Sequence, residues 1–387
     1  MKKFLSLISL LAIATLCVAC NSDKSSSSEN AADMSEQQST TVQPTTISEE
    51  EKAENRIDKL ISEMSVEEKV GQMFFVRYPD VDASVQVSEY DLGGYILFGR
   101  DFDGKTREEV VENINICQQN AKTPLLIGVD EEGGIVVRVS SNENLREAPF
   151  MSPRDTFENG GWAGIEEDAE EKADLLLSLG INVNLAPVCD VTSDSTAFMY
   201  DRSFSGNVDE VSEFVKKVVE ISRNKKLGTV LKHFPGYGNN EDTHTGIAYD
   251  NRDISDFRET DFKPFKAGIG SGADCVLVSH NIVNCIDSEY PASLSEEVHN
   301  LLRNELGFDG VIMTDDLSMG AITDYTGTEN AAVLAIKSGN DLLCCSDVEE
   351  QYPAVLSAVQ SGEISAKQID DSVKRILKWK QKLGIIE

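Results

Sequence analysis

Eight apolar runs of strand length, each followed by an amphipathic or polar stretch, constrain this chain more than any other feature. In order they are GQMFFVR (71–77), GGYILFG (93–99), PLLIGVD (124–130), NVNLAPV (182–188), TVLKHFP (229–235), DCVLVSH (274–280), GVIMTDD (310–316) and DLLCC (341–345). Between them lie helical patterns such as TREEVVENINICQQNAK, VDEVSEFVKKVVEISRNKK and LSEEVHNLLRNELGF. Strands that are apolar on both faces belong to a parallel sheet covered on both sides, because a sheet with one wet face would alternate. Eight such units within one chain of this length predict an α/β fold of the (β/α)8 TIM-barrel type rather than an open sheet. Two closing helical segments follow, EEQYPAVLSAVQS and SAKQIDDSVKRILKWKQKLG, and no second domain is patterned.

The polar residues fall where such a barrel would use them. Run after run ends in an ionisable group: Arg77, Asp130–Glu131, Asp190, Lys232–His233, His280 and Asp315–Asp316. In a barrel these C-terminal strand ends converge on one mouth, the place where this fold performs chemistry. Loop polarity alone explains one or two such residues but six poorly. A mouth with several carboxylates, a Lys, an Arg and histidines, and no phosphate loop, suits a polyhydroxylated ligand. Each sugar hydroxyl seeks both a donor and an acceptor, and charged partners make the stronger bonds.

The ends of the chain and its charge narrow the setting. Lys2 and Lys3 precede the apolar run FLSLISLLAIATLCVA, which stops at Cys20; this is the pattern of a secretory signal, and it is too short for a membrane span. Val18-Ala19-Cys20 resembles the lipobox of bacterial lipoproteins, with Cys17 where Leu is usual, so residues 1–20 read as a lipoprotein-type signal, with cleavage expected just before Cys20 and Cys20 left as the lipidated N-terminus. Residues 21–50 are rich in Ser, Thr and Glu with little to bury, and are expected to be a disordered tether. The barrel is then assigned to 51–387, outside the cytoplasm and held to the membrane only by its lipid. A net charge of −32, from 35 basic and 67 acidic residues, repels phosphate backbones and argues against a nucleic-acid partner. Cysteines 117, 189, 275, 285, 344 and 345 show no CxxC spacing; free thiols are expected, pairing is left open, and no metal or cofactor constellation appears. Nothing in the patterning speaks to oligomeric state.

KHFPGYG followed by DTH, GVDEEGG, DRSF and GFDGVIMTDDLSM together resemble glycoside hydrolase family 3, and within it the single-domain β-N-acetylhexosaminidase branch. The resemblance implies a (β/α)8 barrel, no cofactor, a β-linked N-acetylglucosaminide substrate and a retaining, exo-acting reaction through a covalent glycosyl-enzyme. It also implies roles. Asp315 matches the nucleophile, with Asp316 turned to the other face of the strand end as a structural neighbour. His244 matches the acid/base of this branch and Asp242 its carboxylate partner; a D-x-H spacing in an extended loop puts both on one side. Asp130, Arg202, Lys232 and His233 match positions that hold the non-reducing sugar, and His280 matches a further mouth residue. His299, on a helix, has no such role. The chain departs from the family pattern at Tyr237, where many members have a second histidine. It departs again in a loop from Gly238 to Asp242 one residue shorter than the common form, and in TGIAYD replacing a segment that often contains Pro. These departures bear on the loop and on leaving-group preference. Two alternatives stay open: phosphate in place of water as acceptor, and a barrel that binds sugar without cleaving it.

Overall fold

A computed structural model of the chain describes residues 48–240, 246–326, 330–345 and 347–387. The signal segment with Cys20 and most of the Ser/Thr-rich stretch lie outside the described residues, as do Asp242 and His244. The described residues open with a capped helix. The Ser48 hydroxyl accepts the Glu51 N–H at 3.1 Å and caps a helix at Glu49–Glu63. Glu49–Glu51 form the first helical turn, where carboxylates face the positive end of the helix dipole, so Glu49 and Glu50, within the expected tether, are helical. A second helix, Val66–Gln72, starts from a reciprocal cap between Ser65 and Glu68 and takes the first residues of the first apolar run.

Each of the eight runs contributes one barrel strand: β1 Phe74–Arg77, β2 Gly94–Leu97, β3 Leu126–Val129, β4 Val183–Asn184, β5 Gly228–Phe234, β6 Cys275–Val278, β7 Val311–Thr314 and β8 Leu343–Cys345. Neighbours pair in parallel in chain order, and β8 pairs with β1. A parallel bridge between Met313 and Leu342, with Thr314 N–H donating to the Leu342 carbonyl at 3.1 Å, joins the seventh strand to the eighth. The chain is a (β/α)8 barrel.

Inside the barrel, Phe75 occupies space left by two glycines. A Cβ at Gly128 would sit 2.5 Å from its ring, and one at Gly94 would sit 2.8 Å from it. Close packing at that density admits no methyl group without displacement. A second apolar cluster, including Phe204, Phe214, Phe234 and Phe262, fills the space between the barrel and the helices Val208–Lys225 and Phe262–Gly270. Outside the barrel, a short parallel pair, Tyr249–Asp250 with Ile282–Val283, fastens the loop after β5 to the loop after β6. Cys117, Cys189 and Cys275 are buried free thiols, and Cys285 is an exposed one.

Candidate active site

The C-terminal ends of the strands open into a cavity of about 590 Å3 lined by Arg77, Asp130, Glu132, Arg138, Arg202, Lys232, His233, Asp315 and Asp316, with Phe98, Phe198 and Tyr237 among its apolar wall. Its centre is an ion-pair chain. Lys232 Nζ lies 2.6 Å from Asp130 Oδ1 and 2.6 Å from Glu132 Oε1. Arg202 holds the same Glu132 carboxylate with two bonds, Nε at 3.0 Å and a terminal nitrogen at 2.7 Å. Burial alone would push the Glu132 carboxyl up, but Lys232 and Arg202 hold it well below the carboxylate range. Burial likewise works against the Lys232 ammonium, and Asp130 and Glu132 together raise it above its ordinary value. The chain of ion pairs holds all four side chains in position before any ligand arrives.

The order of residues on two strand ends explains this arrangement. In Asp130-Glu131-Glu132 the alternation of an extended chain sends the first and third side chains to the cavity and the second away from it. Glu131 is fully buried, accepting N–H bonds from Arg138 and Val139 at 2.9 and 2.7 Å and the Ser140 hydroxyl; it shapes the loop. On β5 the register shifts between Leu231 and Phe234, and both Lys232 and His233 reach the cavity. His233 Nδ1 donates to Asp190 Oδ2 at 2.8 Å, leaving Nε2 to accept from Arg202 at 3.1 Å. The other Asp190 oxygen accepts the Tyr237 N–H at 2.8 Å. Burial pushes the Asp190 carboxyl up, but the hydrogen bond from His233 and the Tyr237 amide bring it below its ordinary value.

Asp315 stands at the end of β7, its N–H donating to the Val278 carbonyl at 3.0 Å and its Oδ1 accepting the Asp316 N–H at 2.9 Å. Burial pushes its carboxyl up; the imidazoles of His280 and His233, the Asp316 amide and the Lys232 ammonium outweigh this and lower it. Asp316, expected to face away, also lines the cavity, and its Oδ1 accepts the Ser318 N–H at 2.9 Å. His280 is placed differently from the expectation of a sugar-binding residue. It is fully buried behind the cavity, with Nδ1 2.7 Å from the Ser293 hydroxyl and Nε2 2.9 Å from the Asp316 carbonyl. Both ring nitrogens are engaged by the protein, so it supports the Asp315–Asp316 corner instead of touching a ligand. His299 is a buried helix residue whose Nδ1 donates to the Ser295 carbonyl.

The structure thus brings together Asp130, Arg202, Lys232, His233 and Asp315, while Asp242 and His244 fall outside the described residues. Sequence reasoning missed Glu132, Asp190 as the partner of His233, and Arg138. The alternation in DEEGG was the signal for Glu132; nothing local pointed to Arg138. Arg77, stacked over the Phe98 ring at 4.6 Å, and Arg138 each carry a buried Nε–H with no hydrogen-bond partner among the described residues. No group of side chains able to hold a metal ion occurs among the described residues.

A barrel with an ionised aspartate at the end of β7 and a charged cradle on β3 and β5 has the layout of a glycoside hydrolase. The chain belongs to glycosyl hydrolase family 3: residues 65–379 match the sequence model of the family's N-terminal domain. It is similar to β-hexosaminidase LpqI of Mycobacterium tuberculosis, 32% identical over 336 residues that cover 82% of this chain and 83% of that protein. It is also similar to β-hexosaminidase A of Pseudoalteromonas piscicida, 30% identical over 332 residues. Among solved structures, a family 3 β-N-acetylglucosaminidase from Paenibacillus sp. matches with a TM-score of 0.78 at 32% identity, covering 83% of this chain. The chain spans 55% of the Pseudoalteromonas protein and 63% of the Paenibacillus one.

Proposed function

We propose that the chain is an exo-acting, retaining β-N-acetylglucosaminidase. The observation that carries the reading is the lowered Asp315 carboxyl in the same cavity as the Lys232–Asp130–Glu132–Arg202 cradle. The cradle holds the hydroxyls of the terminal sugar while Asp315 attacks the anomeric carbon. The bond to the leaving oxygen breaks, His244 supplies its proton, and a glycosyl-enzyme forms. His244, oriented by Asp242, then takes a proton from water, which attacks the same carbon and frees Asp315. The names of the similar proteins support N-acetylglucosamine as the sugar. With p-nitrophenyl β-N-acetylglucosaminide, Asp315→Asn is expected to abolish turnover; retention of more than a few percent overturns the assignment. Adding phosphate to the same assay separates the acceptors: free sugar supports hydrolysis, and sugar 1-phosphate would replace it with phosphorolysis.

The natural substrate in this reading is a peptidoglycan fragment. The guanidinium groups of Arg77 and Arg138, which line the cavity, support it as cationic partners for the carboxylate of such a fragment. The basic and apolar N-terminus ending in Cys20 supports attachment to the outer face of a bacterial membrane. Cell fractionation checks this: the chain is expected with membranes, and Cys20→Ala is expected to release it.

A further inference from the structure

The loop that leaves β5 rests on one guanidinium group. Gly236 and Gly238 both have positive φ, 125° and 55°, and both lie against the Arg252–Asp261 ion pair. A Cβ on Gly236 would run into the Asp261 carboxylate, and one on Gly238 would sit 2.6 Å from Arg252 Cζ. Only glycine lets the backbone take this path and approach so closely. Arg252 donates to the Gly236 carbonyl at 3.2 Å, to Asp261 Oδ2 at 2.8 Å, and to the Asp250 carboxylate through Nε at 3.0 Å and a terminal nitrogen at 2.8 Å. Phe257 packs against its face, 4.1 Å from ring centre to Cζ. Asp250 in turn accepts the Asn240 side-chain N–H at 2.7 Å. Asp250 and Asp261 are almost wholly buried, and Asp250 belongs to the short strand paired with Ile282–Val283.

The outgoing limb, 236–240, and the returning limb, 249–252, are therefore pinned to the same side chain. Asp242 and His244 lie between them in sequence. Tyr237, between the two glycines, gives its N–H to the Asp190 carboxylate that orients His233, so one backbone segment serves both the sugar cradle and the loop. A guanidinium is suited to this hub because its donors lie in a fixed plane and reach two carboxylates and a carbonyl together; an ammonium cannot copy that fork.

We infer that Arg252 is a positioning residue for protonation of the glycosidic oxygen. It fixes the separation of the limbs that carry Asp242 and His244, and Asn240–Asp250 extends the same hold. The inference rests on the reading of His244 as the acid/base given above.

The test compares kcat/KM on p-nitrophenyl and methyl β-N-acetylglucosaminides for the full chain, Arg252→Lys, Asn240→Ala and His244→Ala, with thermal melts of each. Nitrophenolate departs with little help, whereas an alkoxide depends on general acid catalysis worth about 10²–10⁴ in rate. Arg252→Lys and Asn240→Ala are expected to lose at least about tenfold more on the methyl than on the nitrophenyl glycoside, in the direction of His244→Ala. Asn240→Ala, which cuts one bond at a partly exposed site, keeps the test open if Arg252→Lys folds poorly. Equal losses on both glycosides, or no loss, while His244→Ala stays selective, would overturn the positioning role. If His244→Ala itself loses equally on both, the acid/base reading fails first and the inference goes with it.

Discussion

Asp315 shows how a buried carboxylate is kept ionised. Removal from water works against its charge, yet His280, His233 and Lys232 surround it with positive or polarised groups and its pKa falls below the ordinary value. In the proposed mechanism the group must be ionised to attack, so the acid limb of kcat/KM on a nitrophenyl glycoside is expected below about pH 4, the usual Asp range. Replacing His280 by Gln keeps a side chain able to donate to the Asp316 carbonyl and removes the imidazole beside Asp315. The Asp315 pKa should rise and the limb should move to higher pH; a limb that stays put in His280→Gln would show that the His280 imidazole has no bearing on Asp315. At this scale the sequence was legible where a charged residue stood at the end of an apolar run, as for Lys232, His233 and Asp315, all of which line the cavity. It was less legible where carboxylates stood in a row: DEEGG offers three, and only the alternation of the extended chain sorts Asp130 and Glu132 from the loop-building Glu131. For His280, strand-end position suggested the mouth, but the Ser293 hydroxyl that captures its Nδ1 comes from a later turn that no local pattern announces.

At the scale of elements, apolar runs reported the strands and left their limits open. Residues 71 to 73 read as strand because Gly71, Gln72 and Met73 are buried, yet the Ser65–Glu68 cap commits Val66–Gln72 to a helix and β1 starts at Phe74. The run at 182–188 yields only Val183–Asn184 as strand; Pro187 has no N–H for the ladder, and pairing resumes only as an isolated bridge from Val188 to Lys232. The pair formed by Tyr249–Asp250 and Ile282–Val283 was not foreseen at all. Two-residue strands carry too little periodicity to be read, and their pairing depends on loops leaving different barrel strands. That pair nevertheless holds Asp250, and through it Arg252 and Asn240, so the least legible element supports the loop expected to carry the acid/base.

For the whole molecule, the base of the barrel carries a further test, because a lysine is buried there without a counter-charge. Lys380, on the closing helix Ala366–Lys382, is fully buried, and its Nζ donates to Gln72 Oε1 at 2.7 Å. Gln72 itself donates to the carbonyls of Asp91 and Leu92, tying the helix before β1 to the turn before β2. Among the described residues no carboxylate forms an ion pair with Lys380, and burial alone lowers its pKa to about 7. An unfolded lysine titrates near pH ~10.4, so between about pH 7 and that value the unfolded chain binds a proton that the folded chain lacks. Stability contributed by this site therefore rises with pH across that window, and below about pH 7 the full cost of the buried charge is present, on the order of 4 kcal/mol. Lys380→Met removes that cost and leaves Gln72 Oε1 without its donor, a loss of about 1–3 kcal/mol at any pH. In urea unfolding the variant should be more stable than wild type at pH 6, and the advantage should disappear by pH 9.5, where the wild-type amine is neutral in the fold. A stability difference that is the same at both values would mean that Lys380 is not the group that titrates.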